Sequence, residues 1–350
     1  MTRTTTSGRP SRTMSHNQTG PAHGGDLAAA RALFPDAPEP WIDLSTGINP
    51  VPYPVGELPL SVFHRLPSPA DQEALEAAAR SAYGASETSQ VVAAPGTQAL
   101  IELLPRLWTA KRVAILGPTY AEHAHAWRKA GHDVVEVTRL SEADAEIVVV
   151  VNPNNPDGRV IDRPSLLAEA AARAGEGGWL VVDEAFADFE PAESLAPVLP
   201  PNAVVLRSFG KTYGLAGIRL GFAIAKPDMA AELRARMGPW AVAGPAIELG
   251  RRALSDRDWL ADAASARAAD ADWLDALLHP VLGSALGGTR LFRCYRSPAA
   301  PAVFDRLGRA GIWVRRFEHD RELLRFGLPA SQSEWSRLTR TVGDGARSPG

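Results

Sequence analysis

Seven short apolar runs, spread over residues 91–225, constrain this chain more than any other feature. They are Val91–Ala94, Arg112–Leu116, Val134–Val137, Ile147–Val151, Trp179–Asp183, Ala203–Arg207 and Leu220–Ala225, each bounded by Gly, Pro, Asn or Asp. Helix-like stretches lie before and between them, at Asp71–Tyr83, from Thr97 through Trp108, near 120–131 and near 165–174. A strand that is apolar at successive positions has both faces covered, and helical crossovers supply the cover. The expectation is an α/β fold whose large domain holds a mostly parallel central sheet of about seven strands. In such sheets, ligands gather beyond the carboxyl ends of the strands. After Pro239 the texture changes. Residues 245–278 read as one long helix with room for a kink, and short strands follow near 290–295, 312–316 and 323–327, interleaved with helices. That pattern predicts a second, smaller α+β domain.

Composition narrows the chemistry. With 45% hydrophobic residues the chain carries too much apolar content for disorder. Its 37 basic and 40 acidic residues leave −3, so no global positive field favours nucleic acid or an anionic membrane. The longest apolar run, Ile147–Val151, falls far short of the roughly 20 residues of a membrane helix. Cys294, the one cysteine, permits neither an internal disulfide nor a thiolate metal cluster, and the cytoplasm is the expected compartment. Only four of the basic residues are lysines: Lys111, Lys129, Lys211 and Lys226. Arginine does not lose its proton to become a nucleophilic amine, so amine chemistry has four candidates here.

Several fragments are decoys. Gly210-Lys211-Thr212 looks like the end of a phosphate-binding loop, but the glycine required five residues earlier is Val205. His123 and His125 resemble a metal pair, yet residues two apart on a helix point to different faces, and they read as surface or interface histidines. No metal site is expected.

Five other features fall in order at strand ends or loops. They are Pro95-Gly96-Thr97-Gln98, Pro118-Thr119-Tyr120, Asn152 through Gly158, Asp183-Glu184-Ala185, and Ser208-Phe209-Gly210-Lys211 with Arg219 eight residues on. Singly, each has a plain structural explanation as a cap, a turn or a solvated charge. Together they meet the needs of pyridoxal 5'-phosphate: a lysine amine, a carboxylate for the ring nitrogen, an aromatic ring to stack, and phosphate donors that include a helix start.

The run from Ser208 to Phe222, Ser-Phe-Gly-Lys-Thr-Tyr-Gly-Leu-Ala-Gly-Ile-Arg-Leu-Gly-Phe, resembles the fold-type-I, aspartate-aminotransferase-like pyridoxal-phosphate enzymes, over essentially residues 23–340. The resemblance implies that Lys211 bonds the cofactor aldehyde and that Ser208, Arg219, Gly96 and Thr97 hold its phosphate. By the same resemblance Asp183 faces the ring nitrogen, Asn155 bonds the ring hydroxyl and Tyr120 stacks on the ring, with Lys211, Asp183 and Tyr120 as the catalytic set. Arg325 looks like the arginine for the substrate carboxylate and Arg315 like a second substrate arginine; Asn49, His23 and Gly24 complete the substrate set.

The branch is suggested by His23-Gly24-Gly25-Asp26 and by Ser45-Thr46-Gly47-Ile48-Asn49-Pro50, which resemble threonine-phosphate decarboxylases of cobalamin biosynthesis. Histidinol-phosphate aminotransferases share the cofactor motifs and are the alternative. A cofactor-binding sensor is a minor one, since the 22 residues before His23 are too few for a DNA-binding module. The implied partners are a small phosphorylated amino-acid substrate and a second copy of the chain, with no nucleic acid and no membrane. Relatives carry a tyrosine that reaches the neighbouring subunit's cofactor phosphate where this chain has Leu66, and leucine cannot donate that bond. The expected division is a flexible tail at 1–22, an N-terminal arm and part of the small domain at 23–60, the large cofactor domain at 61–238, and the C-terminal small domain at 239–342.

Overall fold

A computed structural model describes residues 23–175 and 177–343; the expected tail at 1–22 lies outside them. The strands, in chain order, are β1 (Ile42–Leu44), β2 (Gln90–Ala94), β3 (Arg112–Leu116), β4 (Asp133–Val137), β5 (Ile147–Val151), β6 (Trp179–Asp183), β7 (Ala203–Ser208), β8 (Gly221–Ala225), β9 (Gly287–Thr289), β10 (Phe292–Arg296), β11 (Ile312–Phe317) and β12 (Asp320–Gly327). Seven of them form one sheet in the order β2-β8-β7-β6-β5-β3-β4. All its ladders are parallel except the two made by β8. The mostly parallel α/β sheet expected from the apolar runs is therefore present.

Burial explains why β5 is Ile-Val-Val-Val-Val. Val148 and Val150 enter one core with Leu75, Leu180, Val205 and Phe222, while Ile147 and Val149 enter the opposite core with Leu100, Ile115, Trp127 and Val204. Successive strand residues face opposite sides, so a strand covered twice must be apolar at every position. The helix Pro69–Tyr83 on the first of these faces starts with a capping box: Ser68 and Asp71 each hydrogen-bond the other's backbone N–H, and Pro69 occupies the first turn.

The second sheet runs β1-β11-β12-β10-β9 around a separate core of Leu44, Leu274, Leu278, Phe304, Val314 and Phe326. Its edge strand β1 comes from the N-terminal segment and pairs in parallel with β11. The single helix expected over 245–278 is two helices, Gly244–Ser255 and Arg257–Leu282. Asp256 breaks it: its carboxylate accepts the Trp259 N–H at 3.0 Å and starts the second helix as an N-cap. Among the described residues, no helix is long and apolar enough to cross a membrane.

Candidate active site

The carboxyl ends of β2, β3, β5, β6 and β7 open on a 200 Å³ cavity lined by Gly96, Thr97, Tyr120, Asn155, Asp183, Ser208, Lys211 and Arg219. All eight residues assigned to a cofactor by resemblance thus share one wall. A 480 Å³ cavity adjoins it, shares Tyr120, Asn155, Lys211 and Arg219, and adds His23, Gly24, Arg315 and Arg325 from the second sheet and the N-terminal segment. A larger depression of 580 Å³, beside Glu76, Arg80, Arg234 and Trp240, shares no lining residue with these two and holds none of the converging groups.

Lys211 lies in the single helical turn Phe209–Thr212 that follows β7. Burial pushes its amine down to about 8; the neighbouring Arg325 and Arg219 add to the shift and Asp183 opposes it. The amine sits over the Phe186 ring, 5.6 Å from its centroid. Asp183 ends β6, buried, with Oδ1 accepting the Ala185 N–H at 3.0 Å and Oδ2 2.9 Å from His123 Nε2. An ionised carboxylate only accepts, so His123 presents Nε2–H to it. His123 is buried, which corrects the expectation of a surface histidine. The two-residue spacing did place His123 and His125 on different faces, but only tertiary packing decides which face turns inward.

The turn after β2 is built for close approach. Gly96 has φ 89° and ψ 154°, a backbone region almost confined to glycine, and a β-carbon there would lie 2.7 Å from an Arg219 guanidinium nitrogen. Gly221 on β8 has a matching role, since a β-carbon would lie 2.5 Å from the Thr97 backbone nitrogen. Arg219 itself adopts a left-handed backbone, φ 54°, and donates to the Ala216 carbonyl at 3.1 Å. The Thr97 hydroxyl donates to the Arg207 carbonyl at 3.1 Å, so toward an anion Thr97 offers its helix-start N–H rather than its hydroxyl proton. Gly96→Ala is expected to cost about 1–3 kcal/mol of stability from the backbone alone. It should also displace Arg219, so thermal melts and anion binding should both report it; unchanged values would remove Gly96 from the site.

Arg325 on β12 is buried and bridges two elements: it donates to Asn155 Oδ1 at 2.5 Å and to the Ser45 carbonyl at 2.7 Å. Arg315 stands directly opposite it in the β11–β12 ladder. Burial, then Arg315, lowers the Arg325 guanidinium to about 10. Asn49 does not line either cavity. Its backbone N–H donates to the Lys211 carbonyl at 2.8 Å and its amide to the Thr212 carbonyl at 2.9 Å, so it braces the lysine turn from behind.

Between residues 60 and 339 the chain matches the model of the family described as aminotransferase class I and II. The chain belongs to that family. This member of the family is 43% identical over 324 residues to a threonine-phosphate decarboxylase of Pseudomonas aeruginosa, covering 90% of this chain and 95% of the relative. It is 34% identical over 217 residues to a histidinol-phosphate aminotransferase of Shewanella oneidensis, covering 57% of this chain and 54% of that one. Among solved structures it superposes on histidinol-phosphate aminotransferase from Sinorhizobium meliloti in complex with pyridoxal-5'-phosphate, with TM-score 0.78, 21% identity, and 97% and 98% of the two chains covered.

Two groups of this aminotransferase-family site contain residues to which the sequence gave no role: Asp188 and Arg207 in one, Glu122 in the other. Glu184 and Asp188, both buried, flank Arg207, at 2.7 and 2.6 Å, and tie β6 to β7 just behind Asp183 and Ser208. Glu122 and Gln98 join His23 to Tyr120, through a close His23–Glu122 contact and two hydrogen bonds.

Proposed function

We propose that this chain decarboxylates L-threonine O-3-phosphate to (R)-1-aminopropan-2-yl phosphate, with pyridoxal 5'-phosphate as cofactor, for the aminopropanol arm of cobalamin. The observation that carries the reading is the facing pair Arg315 and Arg325 on a shared cavity wall. Two guanidiniums on one cavity wall, beside the Glu318 and Asp43 carboxylates that act on them, suit a substrate with a carboxylate at one end and a phosphate at the other. The 43% identity to a threonine-phosphate decarboxylase over 90% of the chain supports this substrate over histidinol phosphate.

The residues fit the cofactor by their chemistry. A lysine lowered to about 8 offers a partly neutral amine near neutral pH. Asp183, held by His123 and the Ala185 N–H, presents a buried carboxylate to a ring nitrogen. Gly96, the Thr97 N–H, Ser208 and Arg219 suit a phosphate, Asn155 the ring hydroxyl, and the Tyr120 ring a flat face. When bound, pyridoxal phosphate supplies an aldehyde for the amine and an electron-withdrawing ring that accepts the electron pair left on the substrate α carbon.

Around it the protein orients and moves protons. Arg325 grips the substrate carboxylate and fixes its angle, and Arg315, His23 and Gly24 receive the phosphate end. Lys211 holds the proton that the α carbon takes after carbon dioxide leaves. The test is incubation with O-phospho-L-threonine, following carbon dioxide, beside incubation with histidinol phosphate and 2-oxoglutarate, following glutamate. Carbon dioxide from the first is the expected result. Glutamate from the second without carbon dioxide from the first would transfer the assignment to histidinol-phosphate aminotransferase.

The active unit is a homodimer in the cytoplasm. Leu60, Phe63 and Leu66 are 70%, 59% and 68% exposed within seven residues, an apolar density that a second copy would cover. Sedimentation should give a dimer, and an active monomer would overturn this.

A further inference from the structure

We propose that Glu122 is a positioning residue that sets two parts of the site at once: the seat of the His23–Gly24 segment and the direction of the Tyr120 hydroxyl. This rests on the reading above only in taking Tyr120 as the residue that faces the cofactor ring.

Glu122 is the second residue of the helix Ala121–Lys129, and its side chain is 10% exposed. Oε1 lies 2.8 Å from His23 Nε2, and Oε2 accepts from Gln98 Nε2 at 3.0 Å. An ionised carboxylate is an acceptor only, so Gln98 must turn an N–H toward it. For Gln98 this settles which way the amide points. Its NH₂ is held by Glu122, so its oxygen faces Tyr120, whose hydroxyl is 3.2 Å away. That oxygen can only accept, and the Tyr120 hydroxyl must donate to it. The two hydrogen bonds therefore have one polarity, Tyr120 to Gln98 and Gln98 to Glu122, and His23 meets the same carboxylate as a close polar contact.

The two ends of this chain belong to different parts of the site. Tyr120 forms wall in both cavities, whereas His23 and Gly24 line only the outer one. The segment has a second attachment beside Arg325. The Gly25 N–H donates to Ser45 Oγ at 2.7 Å, and the Ser45 carbonyl accepts from Arg325. Gly24 packs so closely there that a β-carbon would lie 2.3 Å from the Ser45 oxygen. Releasing Glu122 would thus loosen the segment next to the proposed substrate arginine and free Tyr120 to turn.

The test is run first on apoenzyme, by hydrogen exchange. Glu122→Ala should raise exchange both at the backbone amides of residues 23–27 and at the Gln98 side-chain amide, each by about tenfold or more. Tyr120→Phe should leave the Gln98 amide protons protected, because they face Glu122 and not the tyrosine. Glu122→Gln keeps one acceptor oxygen and should restore part of the protection, which separates this role from simple loss of fold. On holoenzyme, Glu122→Ala should weaken pyridoxal phosphate binding and shift its visible absorption band while Lys211 remains trappable by borohydride. Folded Glu122→Ala with exchange within twofold of wild type at either site would overturn the proposal. So would loss of Gln98 protection in Tyr120→Phe, or an unchanged cofactor spectrum and affinity in Glu122→Ala. A wild type that binds no pyridoxal phosphate would overturn the cofactor reading instead, and the apoenzyme exchange would still decide this one.

Discussion

Replacing Lys211 with methionine should abolish turnover and at the same time stabilise the apoenzyme. Loss of the amine removes both the cofactor linkage and the group that handles the α-carbon proton. Acid–base catalysis alone accounts for about 10²–10⁴ in rate, so turnover should fall by at least about a thousandfold. Borohydride should then trap no cofactor on the chain; trapping on Lys111, Lys129 or Lys226 would sink the assignment. The stability gain comes from the same feature that makes the amine useful. Lowering from 10.5 to about 8 corresponds to up to about 3 kcal/mol held against the charged form, less where the cavity admits water. Because the folded-state value lies below the unfolded one, the unfolded chain binds more protons between pH 8 and 10.5. Wild-type stability relative to Lys211→Met should therefore be lowest and flat below pH 8 and recover as pH rises through that window. Denaturant titrations of the two apoenzymes at several pH values measure the difference directly, and a constant difference from pH 7 to 10 would show that the amine is not under strain. The rate of cofactor capture by wild type should likewise rise with pH and level off above about 8.

Much of this was legible in the chain because it rests on local rules. β3, β5 and β6 match the apolar runs residue for residue, since strands covered on both faces leave an unbroken apolar record that polar turn residues delimit. Gly96, Tyr120, Asn155 and Lys211 lie just past the ends of β2, β3, β5 and β7, and Asp183 ends β6, so knowing the strands located the wall. What the sequence hid depends on contacts between segments far apart in the chain. His123 reaches Asp183 across 60 residues and Asn49 braces the Lys211 turn across 162, and neither separation leaves a pattern in either neighbourhood. The break at Asp256 was missed for another reason. The helical texture continues on both sides of it, and a single aspartate reads as an exposed helix residue until its carboxylate is seen to cap the next turn. Resemblance singled out Arg325 among the 33 arginines, and its burial, which the sequence does not show, sets it apart from a solvated arginine.

Arg325→Lys should lower kcat/KM for O-phospho-L-threonine by about a hundredfold or more, with kcat carrying most of the loss. A guanidinium presents five donors in a fixed fork, and here two nitrogens already bridge Asn155 and Ser45, holding the plane at the cavity wall. Its Nε is buried without a hydrogen-bond partner among the described residues, a state that costs about 1–3 kcal/mol until an acceptor arrives. A lysine amine has the charge but a single nitrogen. It cannot keep both bridges and also hold a carboxylate at one angle, and it leaves Asn155 or the Ser45 carbonyl unpaired. The bond that breaks at an α carbon is the one held perpendicular to the cofactor ring, so lost orientation reduces turnover more than it reduces binding. Arg315→Lys provides the contrast. If Arg315 attracts the phosphate end without setting that angle, its change should appear mainly in KM. Burial and the facing Arg315 lower the Arg325 guanidinium from its ordinary value, yet an arginine stays cationic over the working range, so its role is read from the substitution and not from pH. Steady-state kinetics of both variants separate the two roles. An Arg325→Lys enzyme within threefold of wild type would mean that the substrate carboxylate is held elsewhere.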